Sequence, residues 1–564
     1  MNGLTTLPTA RELLALDSEQ AERRLRALSP AQQRELVLQL PPGRRRQDLL
    51  LLSDRPAMLL RLLPPEDFLL TVKEIGEPDA LALIELSSNA QLTYALDLDL
   101  WRQTDLDLVA ADRWWELLLE CGPERFIRWV EHSDFELQVL LFERWCLKLE
   151  RDELGALTDS LSRRVISPDN THYLLVKLGA DLDHVRAVVD LLFHHAPDRF
   201  GALVANLGTT PPAELEELAL RWRNARLADR GWPRPDEAQA VYGLLDPQRL
   251  ESAPLPAGVE NPPRYALERV ASGRLLAAAI DRVAEVALRE RLALQLANLI
   301  NRVLVTDGLE PTDPEMLERA GRVVAGRIEL GLDALGIADA EAAAGLLARN
   351  PLLHLAQVGN WTIQRRARRA RALLQASADG LFELLAAPRP DRLRALAAPR
   401  PVLLERAGEL PRPLAGRDDL VALERDLDRA EAALLLAQRL GLGASRLPQP
   451  FPTGCWPEAL EGLSLEMLLL TAFAHGSERP QPLAPIAAER LDALAAGLPE
   501  QRAELRALLE PWAAAVIGDS PPAGLPGLLD ELTGRLAAWA TAHRHGARDP
   551  RYQEALWVIE QPGG

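Results

Sequence analysis

Apolar residues recur at i, i+3, i+4 and i+7 along almost the whole 564-residue chain, the spacing that lays one apolar stripe along an α-helix. Leu, Ala, Arg and Glu dominate and β-branched residues are sparse, so propensity agrees with periodicity and the whole chain reads as all-α. Proline punctuates the pattern. The 43 prolines stand close enough to hold most helices to roughly two to four turns, because proline removes a backbone donor and clashes with the preceding turn. In the opening stretch Leu28-Ser29-Pro30, Leu40-Pro41-Pro42, Arg55-Pro56, Leu63-Pro64-Pro65 and Glu77-Pro78 each introduce an amphipathic segment. Proline suits a first helical turn, where its missing N–H would be unpaired anyway, and Ser29 is placed to cap. No such segment buries its apolar face alone, so the pattern predicts short helices stacked as a helical-repeat superhelix.

The pattern divides the chain into five segments. Residues 1–100 form the short-helix repeat region and 101–245 a helical region richer in aromatics and histidine. A linker spans 246–264, with Pro254-Leu255-Pro256 and Asn261-Pro262-Pro263 as its connectors. Residues 265–380 carry longer helices, and 381–564 return to short ones broken by Pro388, Pro390, Pro399 and Pro401 and by Pro448-Gln449-Pro450-Phe451-Pro452.

Leu28-Ser29-Pro30, Leu40-Pro41-Pro42, Leu63-Pro64-Pro65-Glu66-Asp67 and Val72-Lys73-Glu74-Ile75-Gly76 together resemble the L-P-P-E-D-type helical repeats in the cytoplasmic N domain of MgtE-type bacterial magnesium channels. The resemblance covers residues 20–100 and implies a superhelix of short helices. Neither a CBS-like pair nor a membrane region follows, so it carries the fold and not magnesium sensing. Over its full length the chain is similar to an uncharacterised family of large all-helical bacterial proteins, a domain of unknown function. That likeness rests on Leu70-Thr71-Val72-Lys73-Glu74-Ile75-Gly76, Leu96-Asp97-Leu98-Asp99-Leu100-Trp101 and Leu294-Gln295-Leu296-Ala297-Asn298. It implies the fold and assigns no activity.

Charge and motif content narrow the function. The formal charge of −18 at pH 7 argues against general nucleic-acid binding, which needs a basic footprint on phosphates. Only Lys73, Lys148 and Lys177 are lysine, and none closes a G-x-x-x-x-G-K-[ST] loop. Neither G-x-S-x-G nor H-E-x-x-H occurs. Cys121, Cys146 and Cys455 form no C-x-x-C and read as buried thiols of a reducing cytoplasm. The first residues carry no basic segment followed by an apolar run, so no signal peptide is expected. The longest apolar runs, Leu275 to Ile280 and Met467 to Ala474, fall short of the roughly 20 residues of a membrane span. A cytoplasmic location is expected.

Five of the nine histidines, His132, His172, His184, His194 and His195, fall close together. On one helix Asp183, Asp190 and His194 would share a face, with Asp190 and His194 at the i,i+4 spacing of paired metal ligands. The preferred alternative places His194 and His195 in a last helical turn before Pro197, where a protonated imidazole suits the dipole. His543 and His545, followed by Gly546, Arg548 and Asp549, fit the same description. Gly441-Leu442-Gly443 reads as a helix C-cap rather than a dinucleotide loop. Asp97-x-Asp99 and Asp105-x-Asp107 read as helix-start carboxylates rather than a calcium loop, since leucine fills the intervening positions and no glycine supplies the turn.

Two features suit binding. Trp101, Trp114, Trp115, Trp129 and Trp145 are expected mostly in the core, with Trp114 turned partly elsewhere as a partner anchor. Arg365, Arg366, Arg368, Arg369 and Arg371 lie opposite an apolar stripe of Ile363, Ala367, Ala370 and Leu374. This basic amphipathic helix could meet an acidic partner, RNA or anionic lipid; the preferred alternative pairs it with acidic neighbours within the chain or leaves it facing solvent. No catalytic, cofactor-binding or metal residue is assigned. The reading is a non-catalytic helical-repeat scaffold or interaction protein of the bacterial cytoplasm with a protein partner and, through the Arg365–Arg371 helix, a possible peripheral membrane contact. The alternative is a metal-dependent enzyme or regulator using the Asp/His face.

Overall fold

A computed structural model describes residues 9–253, 265–269, 274–377, 380–406, 408–476, 482–518, 520–547, 549 and 554–560. The fold is all-α, with three small sheets. Residues 254–264 of the expected linker, and Arg548 of the second histidine cluster, lie outside the described residues.

Proline launches helices where the sequence places it. Pro30, Pro56 and Pro65 open the helices Pro30–Leu38, Pro56–Arg61 and Pro65–Ile75. The Ser29 hydroxyl accepts the Gln32 N–H while the Gln32 carbonyl oxygen accepts the Ser29 N–H, a reciprocal cap. After Leu40-Pro41-Pro42 the chain turns through Gly43, at φ 128°, before Arg44–Leu51 begins. A positive φ of this kind costs glycine little because it has no Cβ. Glu77-Pro78 opens a single 3₁₀ turn, Glu77–Ala80, that runs into Leu81–Leu86.

These helices pack on the next but one in the chain. Arg44–Leu51 packs on Pro65–Ile75, Pro56–Arg61 on Leu81–Leu86, Pro65–Ile75 on Asn89–Asp99, and Leu81–Leu86 on Leu108–Glu120. Leu49, Leu59, Phe68, Leu83 and Leu92 are thereby buried in one core, where each removes apolar surface from water. A buried glutamine recurs at the joints. Gln33 donates to the carbonyls of Leu25 and Leu28 (2.9 and 3.1 Å), Gln91 to those of Leu60 and Leu63 (2.7 and 3.0 Å), and Gln138 to those of Val130 and Ser133 (2.6 and 3.3 Å). Each side-chain amide thus satisfies carbonyls that the end of an earlier helix leaves without an intrahelical partner.

The chain divides into two compact units. The first comprises Met1–Gly243, Glu251–Ala325 and Ala338–Leu355, and the second Leu244–Leu250, Gly326–Ile337 and Ala356–Gly564. These do not coincide with the five segments, because residues 265–325 join the first unit instead of opening a new one. The long helix Val286–Asp307 carries a buried row of Leu296, Ile300 and Val303 and covers it with Pro235–Ala238, the Gln239–Tyr242 turn and Tyr265–Arg269. In the second unit Arg417–Arg439 packs against Leu465–Ala474, Arg502–Ile517 and Leu525–Arg544 around a separate leucine-rich core.

The helical reading needs correction at the sheets. Trp101–Arg102 pairs with Asp105–Leu106; Cys146–Leu149 and Val165–Ile166 flank Tyr173–Val176; Cys455–Trp456 and Ile486–Ala487 flank Val558–Ile559. In Tyr173–Val176 the burial alternates, with Leu174 and Val176 inward. Runs of two to four residues are too short for periodicity to separate strand from helix, and cross-strand pairing decides them. Among the described residues no helix is long and apolar enough to cross a membrane.

Candidate functional site

A cleft of about 850 Å³ opens in the first unit. Its walls come from Pro65–Ile75, Asn89–Asp99, Pro123–His132, Pro212–Asp229 and Val286–Asp307. One arginine organises one side of it. Arg226 Nε and Nη2 donate to the two oxygens of Asp97 (2.9 and 2.7 Å), and Nη1 and Nη2 donate to those of Asp134 (both 2.7 Å). Two bidentate forks on one guanidinium fix both carboxylates in a plane that a lysine could not define. Burial pushes the Asp97 carboxyl up in spite of Arg226, and Arg226, against the cost of its own burial, is pushed up by its two carboxylates. One turn earlier Arg223 donates to the Asp97 backbone carbonyl (2.5 Å) and lies over the Trp101 ring. Burial pulls Arg223 down to about 10. Asp97 occupies the last turn of its helix, so this donor meets a carbonyl that the helix leaves open.

The opposite groups are less fully satisfied. Pro65 begins its helix and Glu66 follows in the first turn, only 8% exposed, with no ion-pair partner among the described residues and a hydrogen bond from its own backbone N–H. Burial pushes its carboxyl up to about 7, with the Arg230 charge pulling weakly the other way. The Tyr94 hydroxyl accepts from Trp232 Nε1 (3.2 Å), and Arg230 lies over the Tyr94 ring. Burial, reinforced by Glu66, pushes Tyr94 well above the ordinary phenol range, so it stays protonated. His132 Nδ1 meets the Arg128 carbonyl at 2.8 Å. A carbonyl only accepts, so that nitrogen carries a proton, and in the neutral ring Nε2 is left as an acceptor. Among the described residues Asn298 Oδ1 and Trp129 Nε1 are buried without a hydrogen-bond partner. Gly231, at φ 80°, approaches Asn298 so closely that a Cβ would overlap its side-chain oxygen.

Glu66 makes stability depend on pH. Its folded carboxyl keeps its proton up to about 7, against the ordinary 4.5 of the unfolded chain. Its contribution is therefore whole below 4.5, declines as pH rises through this window and is level above it. Such a shift is worth about 3 kcal/mol. Glu66→Gln mimics the protonated acid, and allowing for the amide's own unmet hydrogen bonds it should stabilise the protein by about 1–2 kcal/mol at pH 8. At pH 4.5 only the amide's cost remains, so the variant should there be less stable than the natural protein by about 1 kcal/mol, and thermal unfolding at the two pH values checks this change of sign. A gain of equal size at both would contradict the buried, unpaired carboxyl.

The residues weighed for chemistry in the sequence fall elsewhere or into structural roles, apart from Asp97, Trp129 and His132, which line the cleft; Glu66, Leu96, Leu294 and Asn298, named only in the runs that carry the resemblances, line it too. On helix Leu182–His195 the Asp183 side chain is 95% exposed, and His194 Nδ1 bonds to the Asp190 carbonyl of its own helix (2.7 Å). His172 pairs with Asp169 (2.7 Å) and His184 stacks on Trp145. Among the described residues no three His, Cys, Asp or Glu side chains gather as a metal site. His543 Nε2 bonds to Asp492 (2.8 Å), and His545 Nδ1 meets the Thr541 carbonyl (2.7 Å) at its helix end. Gly441, at φ 70°, follows the end of Arg417–Arg439 as a cap.

Two expectations change, for Asp97 with Asp99 and for Trp114, while the arginine helix takes the preferred alternative. Asp97 and Asp99 end a helix rather than start one, and Asp99 is held by Lys73, Arg113 and Trp114 Nε1 (2.6, 2.7 and 2.5 Å). Asp107 does cap its helix, accepting from Val109 and Ala110. Trp114 is buried with the other four tryptophans of its cluster, because its indole N–H finds the buried Asp99. In the basic helix, Arg366 pairs with Glu424 (2.7 Å), Arg369 with Asp428 (2.6 Å) and Glu431, and Arg371 donates to the carbonyls of Ala397 and Ala398 (2.7 and 3.0 Å). Its stripe of Ile363, Ala367 and Ala370 is buried, leaving Arg365 and Arg368 outward.

Glu66, Asp134 and Arg226 were not legible as a site, since Arg226 lies 92 residues from Asp134 and 129 from Asp97. One signal was available: in Leu96-Asp97-Leu98-Asp99-Leu100 carboxylates interrupt an otherwise apolar run, and buried carboxylates require cations from elsewhere. Residues 22–559 match the family described as "Family of unknown function (DUF6178)". No curated protein and no solved structure matches the chain.

Proposed function

The chain belongs to this family of unknown function, and from that premise we propose that it is a non-catalytic binding protein of helical-repeat architecture, working in the cytoplasm, whose binding feature is the cleft of the first unit. One observation carries the reading. Around a volume suited to a small molecule, the Asp97–Arg226–Asp134 group is fully engaged while, among the described residues, Glu66 is buried without an ion pair and Asn298 Oδ1 and Trp129 Nε1 are buried without hydrogen-bond partners. Buried polar groups left unpaired cost stability, and a ligand that satisfied them would recover it. The next-but-one stacking and the recurring glutamine support the repeat architecture. Three free cysteines suit a reducing compartment. The surface anchors expected of a scaffold, Trp114 and the Arg365–Arg371 helix, are largely engaged within the chain, which shifts weight to the cleft.

Ala90, exposed at the cleft wall, offers the test. Compounds from a small-molecule collection that raise the melting temperature of the natural protein should bind Ala90→Trp at least about tenfold more weakly, a loss of about 1.4 kcal/mol. A collection without any stabilising compound, or compounds that stabilise both proteins alike, would refute the cleft as the binding feature.

A further inference from the structure

We propose that the cleft takes a small organic cation, a protonated alkyl amine or guanidine, seated against Glu66. The inference rests on the cleft reading and adds the chemistry of the ligand. The first argument is charge. Glu66, Asp97, Asp134 and Asp229 line the cleft against Arg226 and Arg230. Arg226 is shared between Asp97 and Asp134, and Arg223 beside Asp97 balances the second carboxylate, so the excess negative charge of the lining rests on Glu66 and Asp229 against Arg230. Arg230, the other cation, lies on the Tyr94 ring instead of pairing with a carboxylate. An anion entering here would meet uncompensated negative charge, whereas a cation would reduce it.

The second argument is hydrogen bonding. Glu66 is a buried carboxyl without an ion pair, and a buried carboxylate is held at least cost by an opposite charge that also hydrogen-bonds to it. Asn298 Oδ1 is a second buried acceptor without a donor, and His132 Nε2 a third acceptor on the wall. An ammonium or guanidinium brings the donors that these three acceptors lack; Trp129 Nε1–H, the buried donor on the same wall, is not met by the cationic head. Size and lining favour an organic cation over a metal ion. The cleft holds about 850 Å³, Leu96, Leu137 and Leu294 supply apolar wall for methylene groups, and no three metal-ligating side chains gather among the described residues.

Calorimetric titration of the full chain at pH 8 and low salt, with putrescine, butane-1,4-diol and succinate, tests the assignment. Putrescine should bind at least about tenfold more tightly than the diol or the diacid, with Glu66→Gln weakening it about tenfold and Ala90→Trp abolishing it. Because Glu66→Gln is expected to be the more stable protein at this pH, loss of binding would not report unfolding. Putrescine binding retained by both variants would put the cation on the general acidic surface and overturn the proposal. Preferred binding of the diol or diacid, lost in Ala90→Trp, would overturn the cation while leaving the cleft reading intact. If none of the three binds at millimolar concentration the cation assignment falls, and the compound collection then decides the cleft separately.

Discussion

Arg226→Met is expected to destabilise the first unit by about 3–4 kcal/mol, toward the lower end of what breaking a buried ion pair costs, because the guanidinium keeps 34% of its side-chain surface in water. The loss comes from what the arginine leaves behind. Asp97 and Asp134, at present bridged by four hydrogen bonds from one side chain, would face each other as uncompensated charges, Asp97 already pushed up by burial. Repulsion would raise the folded pKa of the pair further above its unfolded value. The deficit is then present in full above that folded pKa and shrinks as pH falls through it, when one carboxyl takes a proton. Thermal unfolding at pH 7.5 and pH 5, with hydrogen exchange over 89–99 and 123–137 to localise the effect, checks both size and sign. Arg226→Lys should recover only part of the loss, since one ammonium cannot make two planar forks. A deficit independent of pH would mean that lost packing, and not the carboxylates, is responsible.

Arg389→Met should cost the second unit about 3–5 kcal/mol. Arg389 begins the helix Arg389–Ala397 and reaches Glu466, Glu531 (2.7 Å) and the edge of Asp426 (3.9 Å). Glu531 and Asp426 have other arginines, Arg535 (3.5 Å) and Arg392 (3.1 Å). Glu466 has no exposed side-chain surface, and beyond Arg389 it has the Ala386 N–H (2.8 Å). Burial pushes its carboxyl up, with the Arg389 charge opposing. Removing the arginine strands a charge in the core, so removing the charge as well should restore most of the stability. Arg389→Met with Glu466→Met is therefore expected to be markedly more stable than Arg389→Met alone, and a double-mutant cycle by denaturant or thermal unfolding measures the coupling. Additive losses would show that Arg389 acts through packing and not through Glu466.

Both sites bear on how much a chain declares in advance. Proline and cap residues located helix starts at Ser29-Pro30, Pro56 and Pro65, and Asp107 capped as expected. The stripe of Ile363, Ala367 and Ala370 is buried where the period of 3.6 placed it. The same reasoning misplaced Asp97 and Asp99, since a carboxylate in an apolar run marks either a helix start or a distant cation, and nothing nearby distinguishes them. For the arginine helix it preferred acidic neighbours or solvent over an outside partner without locating those neighbours, and the answer lay 58 and 62 residues on, at Glu424 and Glu431.

What the sequence by itself determined is the set of features that act within one or two helical turns: the all-α class, most helix starts, the caps and the apolar faces. Backbone sterics and i,i+4 neighbours settle these before any long-range contact forms. Tertiary structure alone decided which short runs became strands, that residues 265–325 join the first unit, and where charge is buried. Those outcomes depend on partners far along the chain. Asp97, Asp134 and Arg226 acquire their bonds only when three separate helical segments converge, and the environment that pushes Glu66 up to about 7 exists only once the walls around it have closed.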